Sequence, residues 1–419
     1  MLSRKTIGIL DVNNMYASCE AMWMPHLASR PVAVLSNNDG CVIARNQLLK
    51  DMGVPMGVPY FQVREMFARE RVFVCSSNYA LYGDMSRRVM DILEELAPEI
   101  EIYSIDEAFM DATGIEDPLA WASSVRSEVL KCTGLPNCIG LGPTKTLAKL
   151  ANRIAKKART TGVFQISADD IDLMATVEVG DVWGVGRRLQ EHFKRQHILT
   201  AADLARADPR ELRKQFGVTV ERSVRELQGV MCFSLNEQPP HPSNIMVSRA
   251  FSRRVETWSD MREAVAAYAQ RAAEKARQKG VYAEAVQVFI RTSPFGRTGN
   301  PYSNASTYEF AEARNDAGAV ARAADIALRR IWRDGHAYQK AGVMLEGLVR
   351  PQARETSLFG GQQSEKSDRA MEILDGLNKR FGRGTVTIAA AGTRRTWSMA
   401  RKMLTPAYTT RWSDLRVVR

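Results

Sequence analysis

Two apolar runs, each ending on acid, constrain this chain more than any other feature. Thr6-Ile7-Gly8-Ile9-Leu10 reads as a buried strand that stops at Asp11. Tyr103-Ser104-Ile105-Asp106-Glu107-Ala108-Phe109 sets two adjacent carboxylates between apolar stretches. Neighbouring side chains on a strand point to opposite faces, so Asp106 and Glu107 share a partner only at a strand end or hairpin tip. An isolated Asp-Glu pair is usually a solvated turn. A second acid ending a second buried strand changes that reading, because a sheet that gathers all three holds mutually repelling anions. Either one stays protonated or a cation compensates them. Mg²⁺ held by a few carboxylates and by substrate phosphates is the usual compensation.

The 419 residues exceed what one core supports and predict two to four domains. A formal charge of +11 points to a polyanionic partner. No apolar run approaches 18 residues, and Asp11 interrupts the first apolar segment too early for a secretory leader, so a cytoplasmic protein is expected. Six cysteines without a C-x-x-C pair and five scattered histidines argue against zinc and for free thiols.

Taken in order, Asn13 or Asn14 is placed to cap a helix that must end before Pro25. Tyr16 falls in its first turn, near Asp11, as core packing or as part of a site. A strand over Pro31 to Leu35, a turn at Asn37-Asn38-Asp39-Gly40 and the segment Cys41 to Asn46 follow. Arg45 and Lys50 are the basic residues nearest this turn, on a solvated surface or in contact with phosphate. Strands over Val72 to Cys75 and Cys138 to Leu141 alternate with helices over Asn78 to Leu96 and Pro118 to Leu130, an α/β or α+β arrangement around one mixed sheet, within a chain of α+β class overall.

From Gly142 to Arg159 the pattern predicts a helix. At about 100° per residue, Leu147, Leu150, Ala151, Ile154 and Ala158 share one face, while Lys145, Lys149 and Lys156 form a stripe opposite. No acid on that stripe supplies an intrahelical pair, which leaves a solvated face or phosphate contact. Residues 171 to 236 read as small helices. Within them Gly184-Val185-Gly186 is either a plain inter-helix turn or one whose backbone N–H groups approach a phosphate, as in helix-hairpin-helix DNA binders.

A proline-stiffened tether spans residues 237 to 244. Beyond it, to about residue 350, the order β-α-β-β-α-β predicts the split βαβ plan. Arg249, Arg253, Arg291 and Lys340 are expected on its open sheet face, free of acids and suited to a nucleic-acid backbone. Residues 351 to 419 hold Leu358-Phe359 in a polar tether, then a short helix over Asp368 to Arg380 and a strand near Thr385 to Ala390, read as a small C-terminal unit.

Asp11-Val12-Asn13-x-x-Tyr16-Ala17-Ser18-Cys19-Glu20, Leu35 to Asn46, Ser76 to Tyr79, Tyr103 to Phe109, Thr144 to Asn152, Val182-Trp183-Gly184 and Tyr408 to Arg411 together resemble the Y-family DNA polymerases. Within them they resemble the branch of the polymerase V catalytic subunit, the UmuC type. The resemblance implies a palm (1–25 and 76–170), small fingers (26–75), a helix-hairpin-helix thumb (171–236) and a split-βαβ little finger (245–350). It implies an error-prone translesion DNA polymerase of the SOS response, with no segment for a proofreading exonuclease. Asp11, Asp106 and Glu107 would hold two Mg²⁺ ions, with the backbone carbonyl of Val12 as a further ligand. Lys156 matches the family's triphosphate lysine, Lys50 stands where other branches have arginine, and Tyr16 matches the aromatic that excludes a ribose 2′-hydroxyl. Met15 replaces the phenylalanine of many members. The partners implied are primer-template DNA, a deoxynucleoside triphosphate, a processed UmuD-type dimer, a RecA-type filament and the sliding clamp, the last through Leu358 and Phe359. Glu355 replaces the glutamine of the clamp peptide and cannot donate its amide hydrogen bonds. The rival readings are a non-catalytic DNA-binding scaffold with the same fold and a palm-fold cyclase; the second leaves the thumb and little finger without a role.

Overall fold

In the computed structural model, residues 5–158, 161–235, 243–295, 301–353, 363–393 and 395–415 are described. Most of the expected tether, together with Glu355, Leu358 and Phe359, lies outside them. The chain divides into two units: Met1–Ser36, Gly40–Gln238 and Met403–Arg419 in one, Asn37–Asp39 and Pro239–Lys402 in the other.

The first unit begins with β1 (Ile7–Val12), α1 (Met15–Trp23), β2 (Val32–Leu35), β3 (Val42–Arg45), α2 (Gln47–Asp51), α3 (Tyr60–Arg69) and β4 (Phe73–Ser76). It continues with α4 (Tyr79–Leu96), β5 (Ile100–Ile102), β6 (Glu107–Asp111), α5 (Pro118–Thr133), β7 (Asn137–Gly142), α6 (Lys145–Ala158) and β8 (Val163–Gln165). Its five-stranded sheet has the order β5-β6-β1-β7-β8. The central β1 runs antiparallel to both neighbours, β6 and β7. It is buried along its whole length, as a strand covered on both faces must be. Leu10, Ala108, Met110, Ile139 and Leu141 pack with α1, α4 and α5, whereas Ile7, Ile9 and Phe109 face Ala148 of α6. Strand alternation therefore turns Asp11 and Glu107 toward the α6 face.

Helix α6 presses on β7 more closely than side chains allow. A Cβ at Gly140 would lie 2.2 Å from the Ala148 carbonyl and the Asn152 amide, and one at Gly142 2.9 Å from the Ala148 amide. Glycine at both positions permits the approach. The apolar side of the same helix, Leu147 and Leu150, enters a separate core with Phe193, Leu204, Val224 and Leu227. That core belongs to five short helices, α7 (Ile171–Ala175), α8 (Arg187–Arg195), α9 (Ala201–Arg206), α10 (Pro209–Phe216) and α11 (Val218–Leu227). A Thr200–Asp203 capping box starts α9. A three-stranded sheet, β3-β2-β4, gathers the strands between Val32 and Ser76.

The second unit has the expected β-α-β-β-α-β order: β9 (Ile245–Val255), α12 (Trp258–Gln278), β10 (Tyr282–Thr292), β11 (Ser303–Arg314), α13 (Ala317–Ile331) and β12 (Tyr338–Val349). The sheet order is β11-β10-β12-β9, antiparallel throughout, and α12 and α13 bury against one face. A further helix, α14 (Glu365–Phe381), is tied to α12 by Arg277 on Asp375 at 2.7 Å.

One expectation for the C-terminal region fails. No strand forms near Thr385 to Ala390: the Ile388 amide donates to the Gln270 side chain at 3.1 Å, so a helix side chain satisfies the backbone that a ladder would have paired. Trp397 is buried in the α12 core beside Phe251 and Tyr268, while residues from Met403 onward return to the first unit and bury Tyr408 there.

Candidate active site

Asp11 and Glu107 are directly opposed residues of the antiparallel β1–β6 pair, so their side chains share a face. The strand does not stop at Asp11 as expected but runs on to Val12, because Asp11 pairs with Glu107 on one side and Cys138 on the other. Asp106 sits just before β6, and its carbonyl accepts the Val12 amide at 2.9 Å. The Ser104 hydroxyl lies 2.6 Å from its carboxylate and accepts the Asp106 and Glu107 amides at 3.3 and 3.1 Å. That turn breaks the strand alternation just before β6, and the Asp106 carboxylate comes close enough to Tyr16 to add to the rise of its pKa.

Burial pushes the Asp11 carboxyl up to about 7 against the pull of Lys156, and Glu107 beside it adds to the rise. Lys156 pairs with Asp11 and Lys149 with Glu107, the latter at 3.0 Å. Two carboxylates that repel each other are thus compensated by two ammonium groups from α6. The donor set is all oxygen, as Mg²⁺ requires. Among the described residues no three acidic, imidazole or thiol side chains converge into a finished cage.

These pairings correct the reading of the lysine stripe. Lys145 is buried, its ammonium 2.6 Å from Glu101 and 2.7 Å from the Ser234 carbonyl. Lys149 stands 4.3 Å from the Tyr103 ring centroid and 5.4 Å from that of Trp183. Neither forms a solvated face, nor does Lys145 offer its charge to DNA; their partners come from other elements, which helical periodicity cannot reveal. Lys156 alone stays substantially open and, with Lys50, Asn13, Asn14, Gln47 and Arg126, lines a pocket of about 390 Å³. Burial, then Arg45 and Lys156 nearby, hold Lys50 below the usual lysine range. The Arg45 guanidinium donates to the Val54 carbonyl. Gln47 and Arg126 had no sequence signal; Arg126 is fixed by donating to the Asn137 carbonyl at 3.0 Å.

Asn14 takes the N-cap position of α1 in a left-handed conformation (φ 52°) without a side-chain bond, and the Ser18 hydroxyl donates to the Asn13 carbonyl at 2.7 Å. Tyr16 follows in the first turn. Its ring stacks on Tyr82 at 4.3 Å and meets Tyr79 edge-on at 6.2 Å. Burial first, then Tyr79 and Asp106 nearby, raise its pKa.

Gly184 has φ +88°, a conformation only glycine adopts without strain, and Gly186 is the N-cap of α8 with no atom within 4 Å of a Cβ built there. In the second unit the pairing Ala341↔Arg249 puts Arg249 on the helix side of the sheet, where its side chain stays exposed, and not on the open face. Arg253 pairs with Asp260 of α12 at 3.0 Å and donates to the Thr396 hydroxyl at 2.6 Å. Arg291 and Lys340 are directly opposed on the other face, which also bears Glu309 and Glu346 across from Ala285. The basic sheet face is therefore narrower than expected and not free of acids.

Residues 10–153 match the impB/mucB/samB family, residues 242–358 match the C-terminal domain of that family, and residues 368–418 match a domain of unknown function, DUF4113. Protein UmuC of Salmonella typhimurium is 45% identical over 97% of this chain and 99% of its own length. Protein MucB of Escherichia coli is 45% identical over 98% and 99%, and DNA polymerase IV 2 of Bacillus subtilis 27% over 93% and 95%. Among solved structures, a Y-family DNA polymerase chimera, Dbh-Dpo4(243-245)-Dbh, has the same fold, with a TM-score of 0.64 at 18% identity over 82% of this chain and 99% of that one.

Proposed function

Since the chain belongs to the impB/mucB/samB family, as a UmuC-type Y-family polymerase, we propose how its residues divide the work of an error-prone translesion DNA polymerase. The reaction is template-directed addition of a deoxynucleotide to a primer 3′-hydroxyl, and it depends on divalent metal. Asp11, Glu107 and Asp106 hold that metal, with the Val12 carbonyl beside them. The observation that carries this is the direct opposition of Asp11 and Glu107 across β1 and β6. In our reading the metal is a pair of Mg²⁺ ions, whose charge favours the ionised 3′-hydroxyl and compensates the triphosphate.

The chain's own groups do the positioning on which phosphoryl transfer mainly relies. Lys50 and Lys156 line one pocket and neutralise the β- and γ-phosphates. Lys149, held over Tyr103 and Trp183, offsets the charge of Glu107 and keeps it aimed at the site. Tyr16 lies beneath the sugar and excludes a 2′-hydroxyl. The backbone at Gly184 and Gly186 meets a DNA phosphate, and Arg291 with Lys340 meets another: two like charges directly opposed on a sheet are unfavourable unless an anion joins them.

DNA is the substrate and a UmuD-type subunit the class of partner. A processed UmuD-type dimer, a RecA-type filament and a sliding clamp engaged weakly through Leu358 and Phe359 complete the proposal. No helix of the described residues is long and apolar enough to cross a membrane. Primer extension with Mg²⁺ and accessory subunits tests the reading. Incorporation by the wild type and its loss in Asp106→Asn supports it; no incorporation by the wild type would leave the scaffold alternative standing.

A further inference from the structure

The C-terminal tail from Met403 returns to α1 and α4 and meets them through a buried polar relay. Glu20 on α1 is fully buried, and one carboxylate oxygen accepts both the Tyr82 hydroxyl at 2.6 Å and the Thr405 hydroxyl at 3.0 Å. Asn78 donates to the Thr405 hydroxyl and to the Thr405 and Pro406 carbonyls, each at 3.1 Å. The same Asn78 accepts the Leu81 amide and so caps α4, the helix that carries Tyr79 and Tyr82.

Around this relay the tail is pinned at two further points. Met403 exchanges hydrogen bonds with Ser76, at 2.9 and 3.0 Å, and Tyr408 stacks on Trp23 at 5.3 Å. The Thr405 hydroxyl gives its proton to Glu20 and accepts from Asn78, so both of its roles are used. Glu20 is one turn beyond Tyr16 on α1, and the Tyr82 ring that donates to Glu20 also stacks on Tyr16. A displacement at Thr405 thus reaches the Tyr16 ring through two hydrogen bonds and one stacked pair.

We infer that Thr405, through Glu20 and Tyr82, is a positioning residue for the Tyr16 ring, so that the C-terminal tail takes part in choosing deoxyribose over ribose. The inference rests on the assignment of Tyr16 to sugar exclusion. A buried carboxylate with two hydroxyl donors has one preferred place, and removing either donor lets it and the tyrosines repack.

The test is single-nucleotide incorporation by the full-length chain with its accessory subunits and Mg²⁺, using a deoxynucleotide and the matching ribonucleotide. Thr405→Val and Tyr82→Phe keep shape and lose the hydroxyl; each should lower the ratio of the two kcat/KM values at least about fivefold, chiefly through a lower KM for the ribonucleotide. Thr405→Ser, which restores the hydroxyl, should keep the wild-type ratio. A wild-type ratio in both Thr405→Val and Tyr82→Phe, or an equal fall for both sugars, overturns the inference. Should Thr405→Val not fold, Tyr82→Phe decides alone. Tyr16→Ala runs alongside: if it too discriminates normally, the gate assignment itself fails, whereas its loss of selectivity beside unaffected relay variants refutes only the relay.

Discussion

Asp11 on β1 and Glu107 on β6 oppose each other across one antiparallel pair, on the sheet face that α6 covers. The arrangement is costly without a cation. Burial lifts the Asp11 carboxyl from an ordinary 3.8 to about 7, so ionising it opposes folding. The native state gains from the protonated form at low pH and loses that gain as pH rises through 7. Asp11→Asn should therefore melt no lower than the wild type at pH 8 without metal, while turnover falls at least about a hundredfold. Mg²⁺ at a hundred times its dissociation constant should stabilise the wild type by about 2.7 kcal/mol. Thermal melts with and without Mg²⁺ check this; an equal metal-induced rise in Asp11→Asn would remove the acid pair from the metal site.

Lys145 and Glu101 form a pair in which the lysine side chain is only 5% exposed. Truncating one partner of a buried pair strands the other and costs about 3 kcal/mol. Lys145→Ala should be destabilised by that order in a denaturant titration, and combining it with Glu101→Gln should recover part of the loss. The salt dependence of DNA affinity should not change, because this lysine does not face solvent. A reduced salt slope in a fully folded Lys145→Ala would return it to the DNA-binding surface.

The second unit offers a direct comparison of two faces. Arg291 and Lys340 are opposed on the open face, where burial and Arg291 hold Lys340 below the usual lysine range. Each of Arg291→Ala and Lys340→Ala should lower the salt slope of DNA binding by about one. Arg253→Ala should leave it unchanged, since Asp260 already engages that guanidinium. Affinity measured from 50 to 200 mM salt separates the two classes, and equal slopes for all variants would refute the assignment of faces.

The acids were legible because two local facts sufficed: each lies at the end of an apolar run, and antiparallel pairing of those runs brings them together. The split βαβ plan was legible for the same reason, since its elements are long and their order is local. The partners of the lysine stripe are not legible, because periodicity gives the faces of a helix and not what covers them; Gly140 and Gly142, which let the sheet approach, are the available signal. Counting by two from Val247 puts Arg249 on the helix side of the sheet, a signal that residue type alone does not carry. The tail had no local signal at all. Thr405 meets Glu20 across 385 positions, and its partners, a buried carboxylate and an asparagine, resemble any other polar pair in sequence.

The close approach of α6 to β7 makes the last prediction. At Gly140 an added methyl group would lie 2.2 Å from backbone atoms of Ala148 and Asn152, which no side-chain rotation relieves. Overpacking of this kind costs about 1–3 kcal/mol even when the structure adjusts, and here the adjustment is movement of α6. That helix carries Lys149 and Lys156, the counter-charges of Glu107 and Asp11, so Gly140→Ala should lose stability and nucleotide incorporation together. Gly186→Ala is the contrasting variant: its φ is −83° and no atom lies within 4 Å of the new methyl, so the melting temperature should hold. If its backbone meets a DNA phosphate, affinity for primer-template should fall severalfold with incorporation at saturating DNA preserved. A Gly140→Ala protein that melts and extends primers normally would show that the helix does not set the site; unchanged DNA affinity in Gly186→Ala would remove that turn from the DNA surface.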